Sequence, residues 1–301
     1  MRLKADLTLL LVAFIWGTAF VAQRVAGQMG SVFFFNGVRY LLAALVVLAF
    51  AWNARRPSGD AVRISRGQFQ WMAIAGFFLF MGSGLQQAGL VYTTAGNAGF
   101  ITSLYVVLVP ILLFSFWSER FHWIAILSMS MAMAGAFLLS TGGHLSLQKG
   151  DALALAGALF WSFHVIILGK YASKFEALSF SVGQLAVCGL ISLLIGLFRE
   201  PVMAINSSLL LAIAYTAVFS IGLCYTLQIW GQKYTPPADA ALILSLESVF
   251  AVLAGWLLLD EMLNGMQLLG CGLIFSAVLL SQFKEWTLLG TIDRDHLIEG
   301  R

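Results

Sequence analysis

The sequence predicts an all-α integral membrane protein with ten transmembrane helices. Of its 301 residues, 60% are hydrophobic and only 10% are charged, and the mean hydropathy is +0.90. Soluble domains are nearer to about 45–50% apolar and about 25% charged. The apolar runs are also long and continuous, which is typical of spanning helices and not of alternating barrel strands. This composition argues against a soluble enzyme, a disordered regulator or a nucleic-acid partner, since the formal charge is only +3.

Ten apolar spans account for nearly the whole chain. Each has about 20 residues, the length that a helix needs to cross a hydrocarbon core of about 30 Å. Short connections join them, so neighbouring spans are expected to be antiparallel. The first apolar run lacks a convincing cleavage site and is interpreted as a retained span. The predicted limits are 6–26, 31–52, 68–92, 96–118, 121–141, 150–170, 177–198, 207–230, 237–259 and 264–283.

The chain repeats internally. A constant offset of 142 in the numbering aligns polar, glycine and aromatic positions of spans 3 and 4 with spans 8 and 9. The aligned pairs include Gln86/Gln228, Gly89/Gly231, Tyr92/Tyr234, Thr93/Thr235, Ser103/Ser245 and Glu119/Glu261. The first spans of the two halves align Trp16 with Trp161 at an offset of 145. We therefore expect two five-helix repeats, 1–143 and 144–286. Because five is odd, the second repeat must be inverted in the membrane.

The final residues, 287–301, are expected to be a tail outside the repeats. They end in Ile298-Glu299-Gly300-Arg301, which resembles a protease-recognition sequence added for expression.

Charge distribution predicts the orientation of the chain. Ten spans place both termini on one side, and the loops of that side carry eleven Lys and Arg residues against three on the other. The eleven are Arg2, Lys4, Arg55, Arg56, Arg63, Arg66, Arg120, Lys170, Lys174, Lys233 and Lys284; the three are Arg24, Lys149 and Arg199. By the positive-inside rule, both termini are expected to be cytoplasmic.

Several motifs together carry a family resemblance. They are Phe14-Ile15-Trp16-Gly17, Val38-Arg39-Tyr40, Thr93-Thr94-Ala95-Gly96-Asn97-Ala98, Leu159-Phe160-Trp161-Ser162, Tyr234-Thr235-Pro236-Pro237-Ala238-Asp239 and Ser245-Leu246-Glu247-Ser248. With these motifs the chain resembles an EamA-type member of the drug/metabolite transporter superfamily over about residues 6–283. The resemblance implies two inverted halves around a central cavity, in a multi-pass protein of the bacterial inner membrane. It also implies a carrier, often an exporter of amino acids or related metabolites.

Two charges lie well inside predicted spans. Glu247 is ten residues beyond Pro237 and thus about 15 Å into span 9. A carboxylate at that depth is costly unless it is paired, protonated or facing water, which makes it a candidate for proton coupling or for a substrate ammonium. Arg39 in span 2 is a candidate for a substrate carboxylate. The alternative for both is a structural role within the bundle.

Aromatic and polar side chains complete the predicted site. His164 is a second proton-coupling candidate because imidazole titrates near neutral pH, although a packing histidine is the alternative. Trp16 and Trp161 are candidates to line the cavity and to stack on a substrate or its cation, and plain packing within the bundle is the alternative. Tyr105, which aligns with Glu247, is placed in the site as its counterpart in the first half. Gln86, Ser103 and Ser245 are candidates for ligand contact or for bonds between helices.

No enzyme motif, metal-ligand spacing, phosphate loop or cofactor motif is present, so we expect no catalysis, metal or cofactor. The expected partners are a small-molecule substrate and the lipid bilayer. The oligomeric state is left as monomer or homodimer, since Gly135, Gly270 and Gly272 permit close helix contact. The predicted function is secondary transport, with export as the expected direction, of small polar metabolites such as amino acids or their derivatives. The alternatives are an uncoupled exchanger or uniporter of another metabolite or organic cation, and a non-transporting membrane sensor or scaffold.

Overall fold

The computed structural model describes residues 1–27, 31–55, 64–93, 95–141, 149–201, 206–259 and 262–298, and every regular element in these ranges is helical. The chain also forms a 3₁₀ turn, Ala172–Lys174, and a π-helical segment, Thr216–Leu223. The helices are α1 (Arg2–Gly27), α2 (Val32–Arg55), α3 (Arg66–Leu90), α4 (Ala95–Ser103), α5 (Tyr105–Trp117), α6 (Trp123–Thr141), α7 (Lys149–Lys170), α8 (Ala177–Arg199), α9 (Ser207–Tyr215), α10 (Cys224–Gly231), α11 (Pro237–Leu244), α12 (Glu247–Leu259) and α13 (Gly265–Ile298).

These helices confirm the predicted all-α membrane class. Within the described ranges, nine helical stretches are long and apolar enough to cross a bilayer, and Trp123–Leu139 is a shorter apolar helix. Each of the ten coincides with one span predicted from the sequence. The largest difference is at the end of the chain, where α13 continues beyond residue 283 to Ile298. No proline occurs between residues 284 and 298 to interrupt that continuation. The predicted boundary at 143/144 lies outside the described residues.

Two of the spans are each built from two helices. Span 4 breaks where α4 ends at Ser103 and α5 begins at Tyr105. Span 9 breaks where α11 ends at Leu244 and α12 begins at Glu247. The second segments therefore begin at Tyr105 and Glu247, which are separated by 142 residues, the offset that aligns the two halves of the sequence.

The two breaks have the same hydrogen-bond pattern. Ser103 Oγ donates to the carbonyl of Phe100 at 2.7 Å, and Ser245 Oγ donates to the carbonyl of Leu242 at 2.7 Å. The residue after each serine donates its backbone N–H to the carbonyl three positions back, at 3.2 Å in both spans. Serine side chains that bond to nearby carbonyls, combined with 3₁₀-type bonds, interrupt the α-helical ladder. The breaks thus arise without proline or glycine at the break itself.

Contacts between helices can be compared with the repeat predicted from the sequence. Helix α2 packs on α8, and α6 packs on α13, so spans 2 and 7 contact each other, as do spans 5 and 10. Helix α3 packs on α7, while its counterpart α10 packs on α1. The start of α2 is also capped from the end of α8, where the Glu200 carboxylate accepts bonds of 2.9–3.1 Å from the first three N–H groups.

Glycines allow helices α6 and α13 to approach each other closely. Gly135 on α6 and Gly270 on α13 face each other, and a Cβ at Gly135 would lie 2.7 Å from the Gly270 carbonyl oxygen. These small residues, which the sequence offered for contact between subunits, therefore pack within the chain. By contrast, a Cβ at Gly272 would meet nothing within 4 Å.

Hydrogen bonds between threonine and aspartate also occur at matched positions. Thr93 Oγ1 donates to Asp151 at 2.8 Å, and Thr235 Oγ1 donates to Asp6 at 2.7 Å. The two threonines are related by the offset of 142 and the two aspartates by the offset of 145. The first bond joins the end of α3 to the start of α7, and the second joins the end of α10 to the start of α1.

Ion pairs connect helices at one end of the bundle. Arg2 forms a salt bridge of 3.0 Å with Asp6 on its own helix and one of 2.9 Å with Asp239 on α11. Lys170, at the end of α7, pairs with Glu119, which follows α5. These contacts tie the first half of the chain to the second at the end that contains the N-terminus. The repeat partner of Glu119, Glu261, lies outside the described residues.

Candidate functional site

A central cavity lies where the broken spans meet α1, α2, α3, α7 and the segment from Thr216 to Gly231. Its volume is about 40 Å³, enough for a few water molecules but not for a metabolite. The lining mixes aromatic, polar and charged side chains. It consists of Trp16, Phe20, Gln23, Arg39, Tyr40, Ser83, Gln86, Thr102, Tyr105, Trp161, Val165, Ser220, Ile221, Tyr225, Gln228 and Glu247.

Arg39 places a buried positive charge at this cavity. Its side chain is held by a bond from Nε to Asn36 Oδ1 of 3.0 Å, and Asn36 in turn donates to the Ser83 carbonyl at 3.2 Å. The guanidinium carbon lies 4.7 Å from the centroid of the Phe35 ring and 5.3 Å from that of Tyr40. Within the described ranges no carboxylate pairs with it. A cation held between aromatic rings without a counter-ion suits an anionic group of a ligand.

Glu247 places a buried carboxylate at the same cavity. It is the first residue of α12, where the helix dipole and unpaired N–H groups favour negative charge. The Tyr105 hydroxyl lies close enough to the carboxylate to interact with it electrostatically. However, neither Tyr105 Oη nor Glu247 Oε1 has a hydrogen-bond partner among the described residues. Gly17 on α1 packs against the start of α12, and a Cβ at this position would lie 2.7 Å from the Glu247 carbonyl oxygen.

Tyr225 is the centre of an aromatic cluster in the cavity wall. Its ring centroid is 5.3 Å from that of Trp16 and 6.3 Å from that of Trp161, to which it is nearly parallel. It also lies 6.3 Å from the Tyr40 ring and 5.7 Å from the His164 ring. Tyr40 Oη and Tyr225 Oη lie 3.4 Å apart, and both tyrosines and both tryptophans are among the lining residues.

The two repeat-related tryptophans have different partners. Trp16 Nε1 donates to the carbonyl of Ser220 in the π-helical segment at 2.7 Å. Trp161 Nε1 donates to Gln86 Oε1 at 2.8 Å. Gln228, the repeat partner of Gln86, is fully buried, and neither of its amide atoms has a partner among the described residues. The first-half glutamine thus bonds to a tryptophan, whereas the second-half glutamine lines the cavity without a hydrogen-bond partner among the described residues.

Six of the nine predicted site residues line the cavity: Trp16, Arg39, Gln86, Tyr105, Trp161 and Glu247. The other three are not among the lining residues. Ser103 and Ser245 bond to carbonyls of their own helices at the breaks. His164 is fully buried, with Nε2 3.0 Å from Gln184 Oε1, and its ring packs edge-to-face against the Trp161 and Tyr225 rings.

Sequence reasoning did not place Tyr225 or Tyr40 in the site. The repeat aligns Tyr225 with Ser83, so no matched aromatic marks the position. Tyr40 follows Arg39 in the motif Val38-Arg39-Tyr40, and its position next to a candidate site residue was the signal that could have identified it. For metals, the described part of the chain contains no cluster of three or more His, Cys, Asp or Glu side chains.

Comparison with known proteins gives the family. The model of the EamA-like transporter family matches residues 3–141 and 148–283. An uncharacterized transporter of Archaeoglobus fulgidus is 36% identical over 93% of this chain and 86% of its own length. The uncharacterized inner membrane transporter YedA of Escherichia coli is 24% identical over 88% of this chain and 86% of its own.

Two further proteins are also similar to this chain. A probable amino-acid metabolite efflux pump of E. coli is 26% identical over 94% of this chain and 96% of its own length. A solved crystal structure superposes with a TM-score of 0.78 at 18% identity, covering 94% of this chain and 99% of that one, which shows a shared fold. With the family model matching almost end to end and a relative at 36% identity, the chain belongs to the EamA-like transporter family, whose members are membrane transporters.

Proposed function

We propose that this protein is a secondary transporter that exports small polar metabolites, such as amino acids or their derivatives, by alternating access. The observation that carries the proposal is a single cavity with two opposite charges, Arg39 and Glu247, that have no ion-pair partner among the described residues. An α-amino acid carries a carboxylate and an ammonium. Each would neutralise one of the buried charges, whose burial is otherwise costly.

The aromatic cluster supports the same class of substrate. Trp16, Trp161 and Tyr225 present ring faces near the cavity, and such faces attract a cation or stack on an apolar side chain. The name of the E. coli relative, a probable amino-acid metabolite efflux pump, is consistent with this assignment.

Matched features support two inverted five-helix repeats, 1–143 and 144–286, as the basis of the mechanism. The broken spans, the serine bonds at the breaks and the Thr–Asp bonds recur at the offsets that align the two halves of the sequence. The family model also matches two stretches of similar length, 3–141 and 148–283. Inverted repeats with discontinuous helices at a central site are the usual architecture for alternating access.

The small cavity implies that the halves must move. A volume of about 40 Å³ cannot hold an amino acid, so substrate entry requires the walls to separate at one end. The contacts that must then break include those that join the halves at the N-terminal end, between Arg2 and Asp239 and between Lys170 and Glu119. We place this end in the cytoplasm of a bacterial cell, in accordance with the loop charges.

Proton exchange is the proposed source of energy. Glu247 Oε1 lacks a hydrogen-bond partner among the described residues, so the carboxylate is well suited to take up a proton or a substrate ammonium in turn. His164 is the second candidate, because its Nδ1 also lacks a partner among them. Since neither group is paired with a fixed charge, protonation would change the charge of the cavity region directly.

Ligand-induced stabilisation tests the proposed substrate class. Purified protein is heated with single amino acids, and each hit is compared with its methyl ester and its N-acetyl derivative. A ligand at about 100 times its dissociation constant stabilises a folded protein by about 2.7 kcal/mol, which is easily detected. We expect the intact zwitterion to stabilise the protein and both derivatives to lose most of the effect. Equal stabilisation by all three forms would contradict recognition of the two charges.

A further inference from the structure

A second concavity lies on the outer face of the bundle, between α5 and α6. It has a volume of about 510 Å³ and shares no residue with the central cavity. Its walls are apolar, with Ile111 and Phe114 on α5 and Ile126 and Met133 on α6. All four side chains are exposed, so the groove faces the membrane and not the protein interior.

The groove extends over about one leaflet of a bilayer. Its deepest wall residues are Val107 and Met133, each ten residues from the tryptophan that ends α5 or begins α6. Ten residues of helix correspond to about 15 Å, or half of a hydrocarbon core of about 30 Å. The two tryptophan residues are Trp117 and Trp123, and tryptophan is enriched at the membrane–water interface.

An arginine lies at the interfacial end of the groove. Arg120 is part of the groove lining, is exposed, and has no interaction partner among the described residues. The neighbouring carboxylate, Glu119, is already paired with Lys170. The positive charge of Arg120 therefore has no counter-ion among the described residues, and Arg120 follows Trp117, the last residue of α5, by three positions.

We propose that this groove is a binding site for one anionic phospholipid. The lipid phosphate binds Arg120, and one acyl chain lies along α5 and α6 as far as Val107 and Met133. Basic side chains at the membrane interface between transmembrane helices recognise anionic headgroups in this way. An acyl chain fills the apolar length of the groove, which a free phosphate ion would leave empty. The bound lipid contacts α5, whose first residue, Tyr105, lines the central cavity.

Lipid-dependent stability and native mass spectrometry test the site on delipidated full-length protein. We expect phosphatidylglycerol to stabilise the protein more than phosphatidylcholine and to remain bound as a single copy. Arg120→Gln should weaken the apparent affinity for phosphatidylglycerol about fivefold, the effect of losing one interfacial basic residue. The matched control is Arg66→Gln, which removes another exposed arginine outside the groove and should preserve the preference.

A second variant tests the apolar part of the groove. Ser130 is an exposed wall residue, so Ser130→Trp should occupy the groove and reduce the retained phosphatidylglycerol without unfolding the protein. Inorganic phosphate should not reproduce the stabilisation. The proposal is overturned if phosphatidylcholine or phosphate stabilises the protein as much as phosphatidylglycerol does, or if Arg120→Gln retains the full preference.

Discussion

Tyr105 and Glu247 begin the second segments of the two broken spans and line the same cavity, although they belong to opposite halves of the chain. Their positions correspond in the repeat, but one contributes a phenol and the other a carboxylate. The two helix breaks thus occur at matched positions, but only one of the two residues, Glu247, can carry a negative charge near neutral pH. In the proposed alternating-access cycle, this difference would allow a symmetric rocking motion to act on a substrate that is held in one orientation.

The proposed inverted repeat predicts that matched residues lie on opposite sides of the membrane. Tyr92 and Tyr234 are partners in the repeat and are both exposed. With the partly exposed Cys271 replaced by serine, we expect Tyr92→Cys in intact cells to react with a membrane-impermeant maleimide. Tyr234→Cys should react only after permeabilisation, because the N-terminal end is expected to be cytoplasmic. Labelling of both from outside would contradict the inverted arrangement.

Two glycines on α13 should respond differently to the same substitution. Gly270 packs against α6, where a Cβ would lie 2.6 Å from the Leu139 backbone nitrogen, whereas a Cβ at Gly272 meets nothing within 4 Å. We expect Gly270→Ala to lower the free energy of unfolding by about 1–3 kcal/mol, because the helices must move apart. Gly272→Ala should be neutral or slightly stabilising. Thermal unfolding in detergent measures both, and equal effects would contradict the close contact of α6 with α13.

Gln86 and Gln228, which the repeat aligns, are expected to have different roles, the first in stability and the second in ligand binding. Gln86→Met leaves the indole N–H of Trp161 without its acceptor and should cost about 1–3 kcal/mol of stability. Gln228→Met removes an amide that has no partner among the described residues, so stability should be kept or improved. Its effect should instead be weaker ligand binding, seen as a smaller ligand-induced rise in melting temperature. If Gln228→Met unfolds the protein more readily than Gln86→Met does, these roles are wrongly assigned.

The sequence was sufficient to predict the helices and to identify the two charged residues that line the candidate site, Arg39 and Glu247. Long apolar runs define spans almost without reference to tertiary structure, because each helix satisfies its own backbone in lipid. Glu247 and Arg39 were identifiable for a related reason, since charges inside such runs are rare and costly. Pro237 correctly indicated the start of α11, where proline occupies the first helical turn.

Other features depend on tertiary contacts or on local competition for hydrogen bonds. The breaks after Ser103 and Leu244 contain neither proline nor glycine, so nothing in the local pattern distinguishes them from continuous helix. Tyr225 is one aromatic residue among many in apolar spans, and its role follows only from the rings that surround it. His164 has the chemistry of a proton carrier, but only the folded chain shows that it contacts two lining residues, Trp161 and Tyr225, without being part of the lining itself.

Proton-driven flux in proteoliposomes tests the central claim most directly. A labelled amino acid that stabilises the purified protein is supplied with and without a pH gradient, to wild type, Glu247→Gln and the carboxylate-retaining control Glu247→Asp. We predict accumulation that depends on the gradient in wild type, a loss of about tenfold or more in Glu247→Gln, as expected for removing a charged hydrogen-bonding group, and partial retention in Glu247→Asp. Equal gradient-driven accumulation by wild type and Glu247→Gln would contradict coupling through this carboxylate and favour an uncoupled exchanger or uniporter. Absence of any flux in wild type would contradict transport itself.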